Sequence, residues 1–154
     1  MGRFGRVIPM QVDFYQLTRD PAEAVIPAIA RRVLEGGGRL LVVSAERALL
    51  DRVSRALWSA GPETYLANDH DDAPQPDVQP ILLSAACAPL NAARHIALAD
   101  GRWREEALAF ERAFYFFDDT TIDEARATWR ALGKVDGVIP RFWRQEGGKW
   151  RQGP

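Results

Sequence analysis

The sequence predicts an α/β fold, a single-domain sheet flanked by helices, and three observations lead to it. Short apolar runs rich in β-forming residues alternate along the chain with segments of helical periodicity. The run Leu40-Leu41-Val42-Val43 is apolar at every position, which is typical of a parallel strand buried on both faces. The chain has 154 residues, about the length of one domain, and contains no internal repeat.

The first half of the chain contains two predicted strands and two predicted helices. Asp20, Pro21 and Glu23 suit the N-cap, first and third positions of a helix, where a side-chain acceptor, a fixed φ and a carboxylate are favoured. Three consecutive glycines end that helix because they adopt left-handed conformations readily. The predicted elements are a strand at 11–16, a helix from 20 to 35, a strand at 39–44 and a helix at 45–60.

The second half continues the alternation after an acidic, turn-rich connection at residues 63–77. Thr121 and Glu124 have the spacing of a capping box that opens a third helix, and Gly133 ends it. Further strands are predicted at 81–84, 95–99, 113–117 and about 138–143. The whole order of elements predicts a Rossmann-like, doubly wound sheet.

Composition restricts the classes of function. Twenty basic and twenty-one acidic side chains give a net charge of -1, so overall charge does not favour a general nucleic-acid or membrane binder. No apolar run is long enough to cross a bilayer, and the single cysteine, Cys87, forms no internal disulfide. We expect a cytoplasmic protein in which residues 11–154 form the domain and residues 1–10 are an N-terminal extension, non-native or disordered.

The phosphate-binding motifs of nucleotide-binding sheets are missing. After the first strand the chain reads Leu17-Thr18-Arg19-Asp20-Pro21, which contains neither GxGxxG nor GxxxxGK[ST], and an aspartate at a helix N-terminus repels phosphate. Cys87 lies in an apolar run, so a buried thiol is favoured over a nucleophile paired with His95. His70, with Asp69, Asp71 and Asp72, lacks the spacing of a calcium loop, which favours a solvated loop. We therefore predict no catalytic residue, no metal site and no cofactor.

The C-terminal segment, residues 126–154, is basic and aromatic, with seven arginines and lysines against two carboxylates. Arg126 and Arg130 are four residues apart and so lie one above the other on the third helix, with Trp129 beside them on the apolar side. Guanidinium groups next to an apolar pocket suit an acidic peptide that ends in a hydrophobic residue. The alternatives are a Trp129 that is simply part of the core and two arginines that are simply solvated.

Several segments together resemble the chi subunit of bacterial DNA polymerase III holoenzyme. The resemblance covers nearly the whole chain after Met10, and it depends on the order and spacing of several weak motifs. It implies a Rossmann-like fold without nucleotide-binding motifs, no catalytic site, and binding of the acidic C-terminal tail of single-stranded DNA-binding protein (SSB). The segments are Val12-Asp13-Phe14-Tyr15-Gln16-Leu17, Gly38-Arg39-Leu40-Leu41-Val42, Leu50-Asp51-Arg52, Ala56-Leu57-Trp58 and Ala125-Arg126-Ala127-Thr128-Trp129-Arg130.

The resemblance also implies which residues bind the tail. Arg126 looks like the family arginine that pairs with the terminal carboxylate or acidic residues of the tail, and Trp129 and Arg130 resemble the aromatic and basic residues beside it. Phe117 would help to line the pocket for the last phenylalanine of the tail. Ile122 stands where some members have another basic residue, so the patch here depends more on Arg126 and Arg130.

A second partner implied by the resemblance is the psi subunit, which joins chi to the clamp loader. Trp58, Tyr65 and Leu66 resemble the family's psi-binding surface, which follows the second helix. Exposed aromatic residues are frequent interface hot spots, whereas Trp58 could equally pack into the core. Direct contact with another clamp-loader component is the alternative to psi. Either way, the chain would contact DNA indirectly, through SSB.

Two other functions compete with this interpretation. The first is a nucleotide-dependent enzyme that uses the crevice at the carboxyl end of the sheet, which only the fold class favours. The second is direct binding of single-stranded nucleic acid by the C-terminal arginines and tryptophans.

Overall fold

The structure is a computed structural model that describes residues 9–61, 65–146 and 149–153. These residues form one eight-stranded sheet and three α-helices, which confirms the predicted α/β, Rossmann-like fold. The helices are α1 (Ala22–Glu35), α2 (Arg47–Trp58) and α3 (Ile122–Leu132). The strands are β1 (Met10–Gln16), β2 (Leu40–Val43), β3 (Asn68–His70), β4 (Ile81–Ser84), β5 (His95–Leu98), β6 (Arg112–Phe117), β7 (Val138–Glu146) and β8 (Lys149–Gln152).

The sheet is parallel except at one edge. Its order is β3-β4-β2-β5-β6-β1-β7-β8, and only β8 runs antiparallel to its neighbour. Strand β1 lies between β6 and β7, so Phe14 is in register with Tyr115 on one side and Phe142 on the other. Residues 1–8 of the expected N-terminal extension lie outside the described residues.

Helices cover both faces of the sheet because its central strands are apolar on both faces. Leu40 and Val42 of β2 pack with α1 and α2, whereas Leu41 and Val43 pack on the opposite face, where α3 and a short 3-10 helix at Glu105–Ala109 lie. All four β2 side chains are buried. Burial of apolar surface on both faces therefore holds the three layers together. No helix among the described residues is long and apolar enough to span a membrane.

The predicted start of α1 and the predicted capping box of α3 need correction. Pro21, not Asp20, is the N-cap of α1, and the Asp20 carboxylate instead accepts a hydrogen bond from Gln145. Thr121 is the N-cap of α3, but its side chain makes no capping hydrogen bond. Glu124 instead accepts the backbone N–H of Trp103, at 2.7 Å. The carboxylates of Asp20 and Glu124 therefore bind residues far away in the sequence, which local spacing does not reveal.

Two short edge strands were not predicted. His70, expected in a solvated loop, is the last residue of β3, and its Nε2 lies 3.0 Å from an Asp51 carboxylate oxygen. Strand β8 pairs only with β7 and consists of polar residues and Trp150. Neither segment has the apolar alternation from which strands are recognised.

Candidate functional site

A cavity of about 320 Å³ lies between α3 and the sheet. We call it the α3 cavity. The four residues predicted to bind the SSB tail, Phe117, Arg126, Trp129 and Arg130, all line it. The complete lining is Phe14, Gln16, Phe117, Ile122, Ala125, Arg126, Trp129, Arg130 and Phe142.

The floor of the α3 cavity is a cluster of aromatic rings contributed by three strands and one helix. The Trp129 ring packs edge-to-face on Phe14, with centroids 5.1 Å apart, and on Phe142, at 6.2 Å. Phe117 lies 6.1 Å from Phe142 and is itself buried. Trp129 remains 37 % exposed. It therefore packs on the core with one edge and presents the remaining surface to solvent.

Two guanidinium groups on α3 add positive charge to this apolar cavity. Arg126 is exposed, and its only ion pair among the described residues is a 4.0 Å contact with the fully exposed Asp123. A contact of that length and exposure contributes little stability. Arg130 forms no ion pair with any other described residue. Both guanidinium groups are thus free to bind an added carboxylate.

The remaining basic and aromatic residues of the C-terminal segment do not belong to this site. Trp143 stacks on Tyr15 on the opposite face of the sheet, and its Nε1 donates to Asp13 at 2.9 Å. Trp150 also packs on Tyr15. Arg144 and Arg151 both pair with Glu146. Alternation along β7 and pairing with β8 place Trp143 and Trp150 on the face opposite Phe142, whereas Arg144 and Arg151 share the face of Phe142 but do not line the cavity. The predicted basic, aromatic surface is therefore divided between two faces.

Residues of the α3 cavity that the sequence analysis missed come mostly from β1 and β7. Phe14 and Gln16 lie on β1, and Phe142 lies on β7. They meet α3 only because β1 is placed between β6 and β7 in the sheet. No local motif signals that order.

The crevice at the carboxyl ends of the strands, where Rossmann-like sheets often bind nucleotides, is acidic. Its lining carries Asp20, Glu23, Glu46, Asp100 and Asp118 against Arg19 and Arg52. Burial alone would raise the pKa of the Asp100 carboxyl, but hydrogen bonds from Arg104 and from the Ala45 N–H lower that pKa below its usual range. The carboxylate therefore stays charged. A negatively charged crevice disfavours a nucleotide phosphate there.

The residues predicted to bind psi have very different exposures. Trp58 at the end of α2 is 60 % exposed, and Tyr65 is 82 % exposed. Leu66, in contrast, is 2 % exposed and packs in the core beneath α1 and α2. Trp58 therefore does not pack into the core, and Leu66 is not available to a partner on the surface. Residues 62–64, between these positions, lie outside the described residues.

No catalytic centre forms around the cysteine and histidines among the described residues. Cys87 is partly buried and lines a different cavity from His95. Burial raises the pKa of the Cys87 thiol, which lowers its reactivity. Across the described ranges, no three histidine, cysteine or acidic side chains group closely enough to hold a metal ion.

Comparison with known proteins identifies a family. The family model described as DNA polymerase III chi subunit, HolC, matches residues 10–138. This range is more than half of the chain and includes all of α3 together with Phe14 and Phe117. No curated protein matches the chain.

Proposed function

Because the chain belongs to the DNA polymerase III chi subunit family, whose members are accessory subunits of that polymerase, we propose that it binds the acidic C-terminal tail of SSB and links it to the clamp loader. In this proposal the chain has no catalytic role, and the tail brings it to DNA indirectly, through SSB. The observation that carries it is the α3 cavity, in which an aromatic floor lies beside two guanidinium groups without strong partners.

The size and lining of the α3 cavity support binding of the tail's last phenylalanine. An apolar cavity of about 150 Å³ holds a benzene molecule. The α3 cavity, at about 320 Å³, has room for a phenyl ring and part of the preceding residue. Edge-to-face contacts with Phe14, Phe142 and Trp129 would stabilise such a ring.

The two arginines supply the complementary charge. Arg126 and Arg130 are one helical turn apart, about 6 Å along the axis, so they can contact different carboxylates of one extended peptide. Guanidinium groups bind carboxylates through charge-assisted, often bidentate hydrogen bonds. In this proposal Arg126 pairs with the terminal carboxylate or an acidic residue of the tail when the phenylalanine occupies the cavity, and Arg130 pairs with another carboxylate of the same peptide.

Fluorescence polarisation of a labelled peptide that copies the host SSB C-terminus tests this site. Arg126→Ala should cost on the order of 1.5 kcal/mol, about a tenfold loss of affinity, because it removes a charge-assisted contact. Arg31→Ala is the matched control, since Arg31 is an exposed arginine on α1, on the other face of the sheet. Equal affinities for the wild type and Arg126→Ala would contradict the assignment of Arg126.

The second contact, with psi or another clamp-loader component, is proposed for Trp58 and Tyr65. Both side chains are large, aromatic and mostly exposed, which is typical of interface hot spots. We expect Trp58→Ala to abolish co-purification with the clamp-loader partner while leaving tail binding unchanged. Retention of the partner by Trp58→Ala and Tyr65→Ala together would show that the contact lies elsewhere.

A further inference from the structure

A cavity of about 640 Å³ lies on the opposite face of the sheet from the α3 cavity. We call it the α1 cleft. It opens where α1 ends and where three parallel strands, β2, β5 and β6, begin. Its lining is Tyr15, Ile29, Arg32, Val33, Gly36, Gly37, Gly38, Arg39, Ala92, Arg94, His95, Glu111, Arg112 and Phe114.

The α1 cleft concentrates positive charge in a protein whose net charge is only -1. Four arginines line it, against the single carboxylate of Glu111. Arg112 pairs with the buried Asp13 at 2.7 Å, so its charge is compensated. Arg94 and Glu111 form a 3.4 Å pair in which both side chains are mostly exposed, and such a pair is weak. Arg32 forms no ion pair with any other described residue.

Arg39 is a cation held in place by neutral groups. Its Nη1 donates to the backbone carbonyls of Asp77, at 2.9 Å, and Asn91, at 3.0 Å. Asn91 is itself buried and donates through its side chain to the carbonyls of Leu40 and Gln79. Carbonyls orient the guanidinium without neutralising it. The cleft therefore contains a positioned positive charge that no carboxylate among the described residues compensates.

The donors available in the α1 cleft are side chains, not the glycine loop. The N–H groups of Gly36, Gly37 and Gly38 all donate to carbonyls of α1, so no backbone nest is free to bind an anion. Burial, and next the charge of Arg112, lower the pKa of His95, so this ring is neutral near pH 7. Its Nδ1 is buried and has no hydrogen-bond partner among the described residues.

The aromatic rings of the α1 cleft pack against charged and polar side chains. The guanidinium of Arg112 lies 4.8 Å from the centre of the Phe114 ring, and His95 stacks on the same ring. Tyr15 is buried as well. The α1 cleft differs from the α3 cavity in its charge, since four arginines line it instead of two. We therefore expect charge to dominate recognition in the α1 cleft.

We propose that the α1 cleft binds a phosphate group, carried by a nucleotide or by a single-stranded nucleic acid, with Arg32 and Arg39 as the main cations and Arg94 at the rim. Several guanidinium groups around one volume match a phosphate, which has more acceptor oxygens than a carboxylate. The carboxyl-end crevice of the same sheet carries five carboxylates, so the charge distribution directs phosphate to the amino end. We expect binding that is independent of base sequence, because contacts to phosphate carry no sequence information.

Two probes test the α1 cleft in parallel: a fluorescein-labelled twelve-residue oligothymidylate, followed by fluorescence anisotropy, and ATP, followed by calorimetry, both at low salt. Arg32→Glu should lower the affinity for whichever probe binds, by at least about tenfold, since it replaces an attraction by a repulsion. Arg31→Glu is the matched control because Arg31 is the neighbouring exposed arginine of α1 and does not line the cleft. Thermal unfolding of both variants checks that each is folded.

The pattern of outcomes identifies the source of the phosphate. Binding of the oligonucleotide, weakened by Arg32→Glu and not by Arg31→Glu, supports a nucleic-acid strand, and the same pattern with ATP alone supports a free nucleotide. Arg94→Ala, a milder change at the exposed rim, should lower the affinity for the same probe about threefold. Absence of binding by both probes, or equal affinities of the Arg32→Glu and Arg31→Glu variants, would overturn the proposal.

Discussion

The ring of Trp129 meets the ring of Phe14 edge-to-face, with centroids 5.1 Å apart and an angle of 79° between the ring planes. This contact joins α3 to β1, the strand that lies between β6 and β7. Trp129 lies in the same turn of α3 as Arg126 and Arg130. One side chain therefore fixes the position of the helix that carries both arginines and also forms a wall of the cavity beside them.

Trp129→Ala should affect both stability and peptide binding. We expect a loss of about 2 kcal/mol in the free energy of unfolding, less than for a fully buried tryptophan because the ring is partly exposed. Urea unfolding measures it. Trp143→Ala removes a tryptophan on the opposite face and is the matched control, expected to lose stability while the folded protein keeps its affinity for the SSB tail.

Salt should weaken binding of the SSB tail. Arg126 and Arg130 are exposed, and the Debye length falls from about 10 Å at 0.1 M salt to about 3 Å at 1 M. Polarisation titrations across this range should show a steady loss of affinity for the wild type and a smaller loss for Arg126→Ala. An affinity that does not change with salt would indicate that apolar contacts alone hold the peptide.

Gly101→Ala should disturb the site from a distance. Gly101 has φ +76°, and an added Cβ would lie 2.5 Å from Cγ2 of Thr121, the N-cap of α3. Gly37→Ala, at φ +83° with no atom near the added Cβ, has the same backbone strain without the clash. We expect Gly101→Ala to lower both the melting temperature and the tail affinity, and Gly37→Ala to lower only the melting temperature.

Stability should fall when the pH rises above about 10. Burial, reinforced by the Asp13 carboxylate, raises the pKa of Tyr15 from 10.0 to about 12. Burial likewise raises the pKa of Tyr115, whose hydroxyl donates to the carbonyl of Gly101. The unfolded chain then releases these protons at lower pH than the folded chain, so alkali favours unfolding between about pH 10 and 12. Urea unfolding at pH 9 and pH 11 measures the effect, and Tyr115→Phe should reduce it.

Local spacing was sufficient to predict one side of the candidate site. Arg126, Trp129 and Arg130 share a helix, and helical geometry alone places them together. Phe14 and Phe142 could not be assigned to the site because they meet α3 through the order of β6, β1 and β7, which depends on packing of the whole sheet. Binding of the SSB tail by Phe117, Arg126, Trp129 and Arg130 stays a prediction.

Tertiary packing also explains why some residues expected at a binding surface lie elsewhere in the structure. Trp143 and Trp150 belong to the same basic, aromatic segment as Trp129, but strand alternation and pairing place them on the face of the sheet covered by α1. Leu66 follows the exposed Tyr65, yet its side chain is buried because the chain there enters the core. In each case the direction of the side chain depends on tertiary packing, and the neighbouring residues in the sequence do not determine it.

The central claim is that the α3 cavity holds the terminal phenylalanine of the SSB tail. Polarisation titrations of the wild-type protein with two labelled tail peptides, one complete and one lacking only that phenylalanine, test it most directly. The account predicts that the shortened peptide loses at least about tenfold in affinity, because burial of one phenyl side chain contributes about 1.5 to 3 kcal/mol. Equal affinities for the two peptides would contradict it.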